Sequence, residues 1–193
     1  MGAAAGFTAI ELLFSMAVAG AVLAVALPLT HSALDDLRTG MAARYLAGRI
    51  VGARVDAVQR STRVALRFED AGGELGFALY MDGNANGVRT ADVLSGIDPL
   101  LTARQRLRDR FPGVSFGLDA AVPDLDGQVR QVMDDGVGVG NARLLTLGPD
   151  GTATSGTLYL RGRQARFAVR VLGATARVRV FKYHAGARVW RVQ

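Results

Sequence analysis

A membrane-length apolar segment near the start of the chain constrains the fold more than any other feature. Residues 7–29 are apolar except for Thr8, Glu11 and Ser15. A helix rises about 1.5 Å per residue and roughly 20 residues cross the hydrocarbon core of a bilayer, so this length predicts a transmembrane helix. The segment is long for the apolar region of a secretory signal peptide, which has about 7–15 residues. An acidic side chain deep in a bilayer costs about 2.5–3.5 kcal/mol, so we expect Glu11 to have a partner.

The charged residues are divided unevenly along the 193-residue chain, which has a net charge of +6 and no cysteine. All 17 acidic residues lie at or before Asp150, whereas residues 151–193 carry nine basic residues and no acidic one. Such an asymmetry indicates contact with an acidic partner or with an anionic polymer.

Apolar residues recur every three or four positions within residues 30–61, which is the pattern of an amphipathic helix. These positions are Leu34, Leu37, Met41, Tyr45, Val51, Val55 and Val58. We predict one helix from Phe7 to about Arg60, with residues 7–29 in the membrane and residues 30–61 packed on a globular head. A stripe of this kind usually faces a core, so we expect these side chains to lie against the head.

The period of the apolar residues changes to two after residue 62, which favours β-strands. Residues 63–69 and 74–81 form a predicted hairpin around a glycine-containing turn. Further predicted strands are residues 114–118, 142–147, 156–161, 165–172, 176–183 and 187–192. Residues 119–141 are acidic and rich in glycine, and we predict a long loop there. A helix followed by many short strands predicts an α+β fold, in which a long N-terminal helix packs on an antiparallel β-sheet or β-sandwich head spanning residues 62–193.

The residues around Glu11 resemble the prepilin signature of type IV pilins and type II secretion pseudopilins. The resemblance is carried by the sequence GFTAIELLFSMAVAG, which begins at Gly6, and by the later Pro28. It implies that residues 1–6 are a leader, that a prepilin peptidase cuts between Gly6 and Phe7, and that Phe7 is N-methylated. It further implies that Glu11 pairs with the new amine of a neighbouring subunit, which offsets the cost of burying either charge alone. The alternative is an ordinary N-terminal anchor or an uncleaved signal.

The head segment resembles the GspH/FimT family of minor pseudopilins. The sequences that carry this resemblance are MDGNANGVRTADVLSG, LTLGPDGTATSGTLYLR and the closing ARVRV. The family implies a structural subunit of a type II secretion pseudopilus or a type IV pilus, whose partners are other pilins or pseudopilins. It also implies a single-pass protein of the inner membrane, with its head in the periplasm, that assembles into a pilus-like fibre.

Two arginines and a lysine near the end of the chain are candidates for DNA binding. Arg177 and Arg179 alternate on a predicted strand, so both project from one face, and Lys182 follows on the same strand. Basic residues interleaved with aromatic ones can contact phosphates and stack on bases. Some FimT-like proteins are implicated in DNA uptake through a Gly-Arg-x-Arg motif, and this chain has Ala176 where that motif has glycine. The alternative function is therefore a DNA-binding minor pilin of a competence pilus, and the other interpretation is an arginine-rich face that is solvated or meets an acidic subunit.

One loop carries the oxygen-bearing residues of a calcium site. The candidate ligands are Asp82, Asn84, Asn86 and Asp92. Oxygen ligands at alternate positions, followed by Gly87 for a sharp turn, suit a hard cation. An EF-hand requires a bidentate glutamate at the twelfth position, where this chain has Val93. Calcium is thus the one candidate cofactor, and the alternative is a surface turn held by side-chain-to-backbone hydrogen bonds.

The sequence contains no evident catalytic constellation. His31 and His184 lie far apart in sequence without companions at metal-ligand spacing, and there is no cysteine nucleophile. No Ser-His-Asp arrangement and no phosphate-cradling glycine loop is present. We therefore predict that the protein is not an enzyme.

Overall fold

The computed structural model describes residues 8–129, 135–140 and 142–193. Gly6 and Phe7, the two residues of the predicted processing site, lie outside this part of the chain. The fold is α+β, as predicted, because a long N-terminal helix packs on antiparallel β-sheets. The chain forms two compact units, which are divided in sequence between Leu34 and Asp35.

The first helix, α1, spans Ala9–Arg60 and begins with a reciprocal pair of hydrogen bonds. The Glu11 N–H donates to Thr8 Oγ1 over 3.3 Å, and the Thr8 N–H donates to Glu11 Oε2 over 3.3 Å. This is a capping box, in which two side chains satisfy backbone donors that the first turn of a helix leaves without partners. By length and composition, the apolar part of α1 is able to cross a membrane.

Ten strands lie in the described part of the chain and form two antiparallel sheets. They are β1 (Val64–Asp70), β2 (Leu75–Met81), β3 (Leu100–Arg106), β4 (Ser115–Phe116), β5 (Val137–Val139), β6 (Leu144–Leu147), β7 (Gly156–Arg161), β8 (Arg166–Leu172), β9 (Arg177–His184) and β10 (Val189–Val192). The first sheet has the strand order β3-β2-β1-β6. The second has the order β10-β9-β8-β7-β4, and β5 also pairs with β7. Two short helices, α2 (Thr90–Ser95) and α3 (Leu107–Arg110), lie in the connections.

The predicted strands are present, with small shifts at their ends. β1 and β2 form the predicted hairpin, in which Phe68 lies opposite Phe77. Two strands are not expected from the sequence. β3 has the sequence LLTARQR, which lacks a regular alternation of apolar and polar residues. β5 lies within the predicted loop of residues 119–141, so that prediction is wrong at Val137–Val139.

The buried face of α1 is built mainly from small residues. Its buried positions are Asp35, Thr39, Gly40, Ala42, Ala43, Leu46, Ile50, Ala53 and Ala57. Both sheets supply larger residues to the same core, among them Phe77, Leu158 and Phe167. A Cβ atom at Gly40 would lie only 3.2 Å from the Phe167 ring, so the helix backbone lies close to the second sheet here.

The prediction that the apolar stripe of α1 faces the head is wrong for all but one of its members. Tyr45 is the one member of the predicted stripe that packs against the core. The other members are each at least 40% exposed, namely Leu34, Leu37, Met41, Val51, Val55 and Val58. With 3.6 residues per turn, these positions lie on the side of the helix opposite the alanines. The two large apolar residues that do lie on the buried face are Leu46 and Ile50, which the predicted stripe does not include.

A buried aspartate of α1 holds the turn between β7 and β8. The Asp35 Oδ1 atom accepts a hydrogen bond from the Arg163 N–H over 2.9 Å. Its Oδ2 atom accepts hydrogen bonds from the N–H groups of Gln164 and Ala165 over 2.7 Å and 2.9 Å. Hydrogen bonds to an ionised acceptor are roughly twice as strong as neutral ones, so this contact fixes the helix against the hairpin.

Thr39 and Gly162 complete the contact around Asp35. The Thr39 Oγ1 hydroxyl donates to the Asp35 carbonyl over 2.7 Å, and a Cβ atom at Gly162 would clash with the side chains of both residues. Burial raises the pKa of the Asp35 carboxyl, but the three backbone N–H donors and the nearby Arg166 outweigh burial, so the pKa is lowered from its usual value. The unfolded chain therefore binds a proton at Asp35 more readily than the folded protein does.

We predict that Asp35→Ala lowers the free energy of unfolding by about 3 kcal/mol, because three N–H donors lose their acceptor. Urea unfolding of the full chain in detergent micelles, followed by the fluorescence of the single tryptophan, Trp190, measures the loss. The matched control is Asp36→Ala, which removes a partly exposed ion pair with Lys182 and should cost about 1 kcal/mol or less. Equal losses in the two variants would contradict the role assigned to Asp35.

The Asp35 carboxyl also makes the free energy of unfolding depend on pH, and the direction of the change follows from its lowered pKa. Because the pKa of Asp35 is lowered in the folded protein, its contribution is fully present above the unfolded value of about 3.9. The contribution is lost as the pH falls through the folded value. The difference in unfolding free energy between the wild-type protein and Asp35→Asn should therefore shrink as the pH is lowered below about 4.

Candidate functional site

The outward face of α1 in the second unit carries a row of exposed apolar side chains. These residues, which we call the outer stripe, are Leu37, Met41, Val51, Val55 and Val58, and their exposed fractions lie between 48% and 59%. Together with Arg44 and Gly48 they occupy positions spaced alternately four and three residues apart. This spacing is typical of helices that pack along their length on other helices. Monomeric soluble proteins rarely expose a continuous apolar surface, so the outer stripe is a candidate interface.

Two glycines lie one turn apart on the same face. Gly48 and Gly52 are exposed, and a Cβ atom at either position would meet nothing within 4 Å. Glycine in a helix interior is about 1 kcal/mol less favourable than alanine, so both residues weaken α1. Packing within the described chain does not require them. Glycines at this spacing allow the backbone of a second helix to approach closely.

Glu11 lies in the first turn of α1 and already has a partner in its own chain. Its Oε2 atom accepts hydrogen bonds from the Thr8 hydroxyl over 3.2 Å and from the Thr8 N–H over 3.3 Å. This partner is not among the sequence-based predictions, although threonine followed by glutamate three residues later is the capping-box signature. The pairing of Glu11 with the amine of another subunit stays a prediction.

The structure brings Arg177 and Arg179 together on the outer face of β9, but it places Lys182 on the opposite face. Both arginines are exposed, and neither has an ion pair or a side-chain hydrogen bond with any described residue. The Lys182 Nζ atom lies 2.6 Å from Asp36 Oδ2 and 5.9 Å from the centre of the Phe167 ring. The lysine therefore ties β9 to α1 and is separated from the two arginines.

The aromatic residues on the outer face of the second sheet are covered by residues 118–129, which we call the strap. Phe181 and Trp190 pack with apolar residues of the strap. The Trp190 Nε1–H donates to the Pro123 carbonyl over 2.8 Å, and the rings of Tyr183 and Trp190 have centres 5.2 Å apart. The aromatic side chains that share a face with the two arginines are thus engaged within the chain.

Acidic residues of the strap neutralise neighbouring arginines of the second sheet. Asp119 forms ion pairs with Arg161, over 3.6 Å, and with Arg166. Asp126 pairs with Arg170 over 2.7 Å, and this hydrogen bond lowers the pKa of the Asp126 carboxyl. Among the described residues, no carboxylate pairs in this way with the two exposed arginines of β9.

Three of the four candidate calcium ligands lie in the loop after β2 and the fourth, Asp92, lies in α2; the four are bonded to the backbone and to each other. The Asp82 Oδ1 atom accepts a hydrogen bond from the Asn84 N–H over 3.2 Å, and its Oδ2 atom accepts one from the Gly87 N–H over 2.7 Å. The side-chain amides of Asn84 and Asn86 donate to Asp92 Oδ2 over 3.4 Å and 3.0 Å. These are the bonds of a turn held by its own side chains, which is the alternative that the sequence leaves open.

Asp98 is a second buried support of this loop, and the sequence analysis does not single it out. It is 2% exposed and accepts hydrogen bonds from the N–H groups of Gly83 and Arg89, each over 3.0 Å. Within residues 8–129, 135–140 and 142–193, no three His, Cys, Asp or Glu side chains are grouped so that they could hold a metal ion. Calcium binding by the predicted set, which relies on asparagine oxygens, stays a prediction.

Part of the chain is similar in sequence to a pilin-like protein. It is 38% identical over 82 residues to the pilin-like protein PilA1 of Thermus thermophilus, and the match covers 42% of this chain and 50% of that protein. The chain thus spans about half the length of the curated relative it matches. No family model matches the chain, and no solved structure matches it. The similarity is therefore to part of a pilin-like protein.

We predict that Asp98→Ala lowers the free energy of unfolding by about 2 kcal/mol, because two N–H groups of the loop lose their acceptor. The loss should be the same in excess calcium and in a chelator, as measured by urea unfolding of the full chain in micelles. Asp92→Ala is the control, since its partners are exposed side-chain amides, and it should change the stability little. A calcium-dependent gain in stability that Asp92→Ala abolishes would support the calcium interpretation instead.

Proposed function

We propose that the protein is a structural subunit of a pilus-like fibre, specifically a minor pseudopilin of the GspH/FimT type that serves a type II secretion pseudopilus or a type IV pilus. The observation that carries this proposal is the outer stripe, an exposed apolar face on the same helix whose first part is able to cross a membrane. The similarity to a pilin-like protein supports it independently. In this role the protein acts by assembly and not by catalysis.

The outer stripe has the chemistry of a surface that is covered by other helices. Full burial of each half-exposed side chain of the stripe would stabilise the assembly by roughly 1 kcal/mol. The glycines at positions 48 and 52 leave space beside the stripe where a second helix can lie close to α1. The two glycines destabilise the helix of the monomer, whereas burial of the stripe would stabilise an assembly. Such a surface is expected of a subunit that functions in an assembly.

The proposed path to the fibre begins in the inner membrane. Residues 7–29 anchor the chain, the head spanning residues 62–193 lies in the periplasm, and a prepilin peptidase removes residues 1–6. The new amine at Phe7 then pairs with Glu11 of a neighbouring subunit. This pairing offsets the cost of two isolated charges in an apolar fibre core.

We predict that Gly48→Leu folds at least as stably as the wild-type protein but enters fibres poorly. Leucine favours the helix by about 1 kcal/mol over glycine, and its side chain fills the space where a second helix would pack. Unfolding in micelles measures the stability, and the amount of the protein in sheared, sedimented fibres measures assembly. Arg60→Leu adds the same side chain on the same helix away from the outer stripe, and it should assemble normally. Normal assembly of Gly48→Leu would contradict the proposed interface.

We predict that mass spectrometry of the protein from cells with prepilin peptidase finds N-methylated Phe7 as the first residue. Glu11→Gln and Glu11→Ala should both be processed, and both should fail to assemble. Glutamine retains the capping box with Thr8 while removing the charge, so it separates the role of the charge from that of the cap. Assembly of Glu11→Gln with failure of Glu11→Ala would assign the effect to the cap and not to a charge pair.

The second candidate function is DNA binding by a minor pilin of a competence pilus. The observation in its favour is the pair of exposed arginines, Arg177 and Arg179, which have no carboxylate partner among the described residues. Lys182 does not join them, since its ammonium group is paired with Asp36. Measuring duplex DNA binding at increasing salt concentrations tests this function, because contacts to phosphates weaken as salt is added.

A further inference from the structure

The first half of β9 is an edge of the second sheet that carries no further strand. On one side, β9 pairs with β8 in a register that sets Arg177 opposite Leu172 and Val180 opposite Val169. On the other side, β10 pairs only with residues 181–184 of β9. No strand of the described chain lies beside residues 177–179 on that side. Such an open edge is a template for pairing with another strand.

The backbone of Val178 points out of this edge. The Gln193 N–H donates to the Val180 carbonyl over 3.0 Å, so the backbone groups of Val180 face β10. Backbone groups of alternate residues in a strand face the same side, so the N–H and C=O of Val178 also point away from β8. Neither group has a hydrogen-bond partner among the described residues. One donor and one acceptor are thus available for an added strand.

Three arginines surround the same edge. The groove beside it is lined by Arg44, Arg177, Val178, Arg179, Val180, Val192 and Gln193. No acidic side chain of the described chain contributes to this lining. The groove also adjoins the outer stripe, because Arg44 occupies one of the positions in the row of spacing four and three. A molecule that covers the outer stripe can therefore reach the groove.

The cross-strand neighbours of these arginines increase the local positive charge. Arg179 lies directly opposite Arg170 on β8, and like charges at such a pair destabilise a sheet. Asp126 of the strap pairs with Arg170. Arg179 has no equivalent carboxylate within the described chain, so an anion from outside would relieve the repulsion.

We propose that this edge accepts an extended, acidic segment of a neighbouring subunit, which adds to β9 as a further strand. The inference rests on the proposed function, because the neighbour is another subunit of the fibre. The backbone of the segment would exchange hydrogen bonds with Val178, and its carboxylates would pair with Arg177 and Arg179.

An extended polypeptide matches the edge better than a nucleic acid does. It supplies both an acceptor for the Val178 N–H and a donor for the Val178 carbonyl, whereas a phosphate backbone supplies acceptors alone. Two of the aromatic residues on which bases would stack, Phe181 and Trp190, pack against the strap, which holds Trp190 through the Pro123 carbonyl. The valines that line the groove provide contact for the remaining side chains of an added strand.

The test uses the full chain in detergent micelles and a fluorescent ten-residue peptide of alternating Glu and Thr. We expect binding that is detected by fluorescence anisotropy and slows hydrogen exchange of the Val178 amide at least about tenfold. The same peptide N-methylated at each backbone amide keeps the charge and loses the donors, and it should bind at least about tenfold more weakly. Equal binding of the two peptides would overturn strand addition.

Variants of the protein test the position of the peptide. Arg177→Gln combined with Arg179→Gln should weaken binding about tenfold. The control combines Arg163→Gln with Arg188→Gln, which removes the same charge from two exposed arginines at the opposite end of the sheet and should leave the affinity unchanged. Trp190 fluorescence establishes that each variant is folded. Equal weakening by both double variants would overturn the assignment to this edge.

Measuring the binding of duplex DNA to the same proteins distinguishes the two candidate partners of this surface. If duplex DNA binds more tightly than the peptide, and Arg177→Gln with Arg179→Gln abolishes that binding, the surface belongs to the DNA-binding function and our inference is overturned. A folded protein that binds neither probe also overturns it. These measurements use unassembled protein, so their failure leaves assembly through the outer stripe untouched. Absence of the wild-type protein from sheared, sedimented fibres would instead contradict the proposed function and leave the peptide binding itself unchanged.

Discussion

The hydrogen bonds between the Asp35 carboxylate and the turn at residues 163–165 determine which side of α1 faces the sheets. A carboxylate that accepts three backbone N–H groups has little rotational freedom, and Gly162 lets the turn lie directly against the helix. Once this side of the helix is fixed inward, the alanines that follow it on the same side are buried. Leu46 and Ile50 are buried with them, and the residues of the outer stripe are then outside. The polar contact at the beginning of the second unit and the apolar packing that follows it thus act together to leave the stripe exposed.

The sequence predicts the strands of this protein better than it predicts the orientation of its helix. Alternation is visible in β7 and β8, where buried residues such as Leu158 and Val169 stand next to polar ones. In α1, an inner row made mostly of alanines and an outer row made mostly of larger residues both recur at helical spacing, so periodicity alone cannot tell one row from the other. A choice based on residue size selects the outer row as the buried one, which is wrong. The decisive residue is Asp35, whose partners lie in a turn about 130 residues away along the chain.

In the candidate sites too, local sequence patterns predict some features and residues distant in sequence determine the others. The period of two correctly sets Arg177 and Arg179 on one face of β9, and the same parity already assigns Lys182 to the other face. The cover over Trp190 comes from the strap, in a segment whose composition predicts only a loop. The support that Asp98 gives to its loop depends on backbone groups that no spacing rule marks. Local patterns thus locate the charged residues, whereas their partners depend on the tertiary fold.

Arg44 links the two surfaces that the structure leaves available. It stands in an otherwise apolar row of α1 and also lines the groove beside β9. A helix that covers the outer stripe removes water from this guanidinium, and that costs free energy unless the partner supplies an anion. The strap already supplies carboxylates to the arginines beside it. In contrast, Arg44, Arg177 and Arg179 line this groove without an Asp or Glu side chain of the described chain beside them. Apolar contact along the stripe would then provide affinity for many helices, while the three arginines would select the subunit whose carboxylates lie in register.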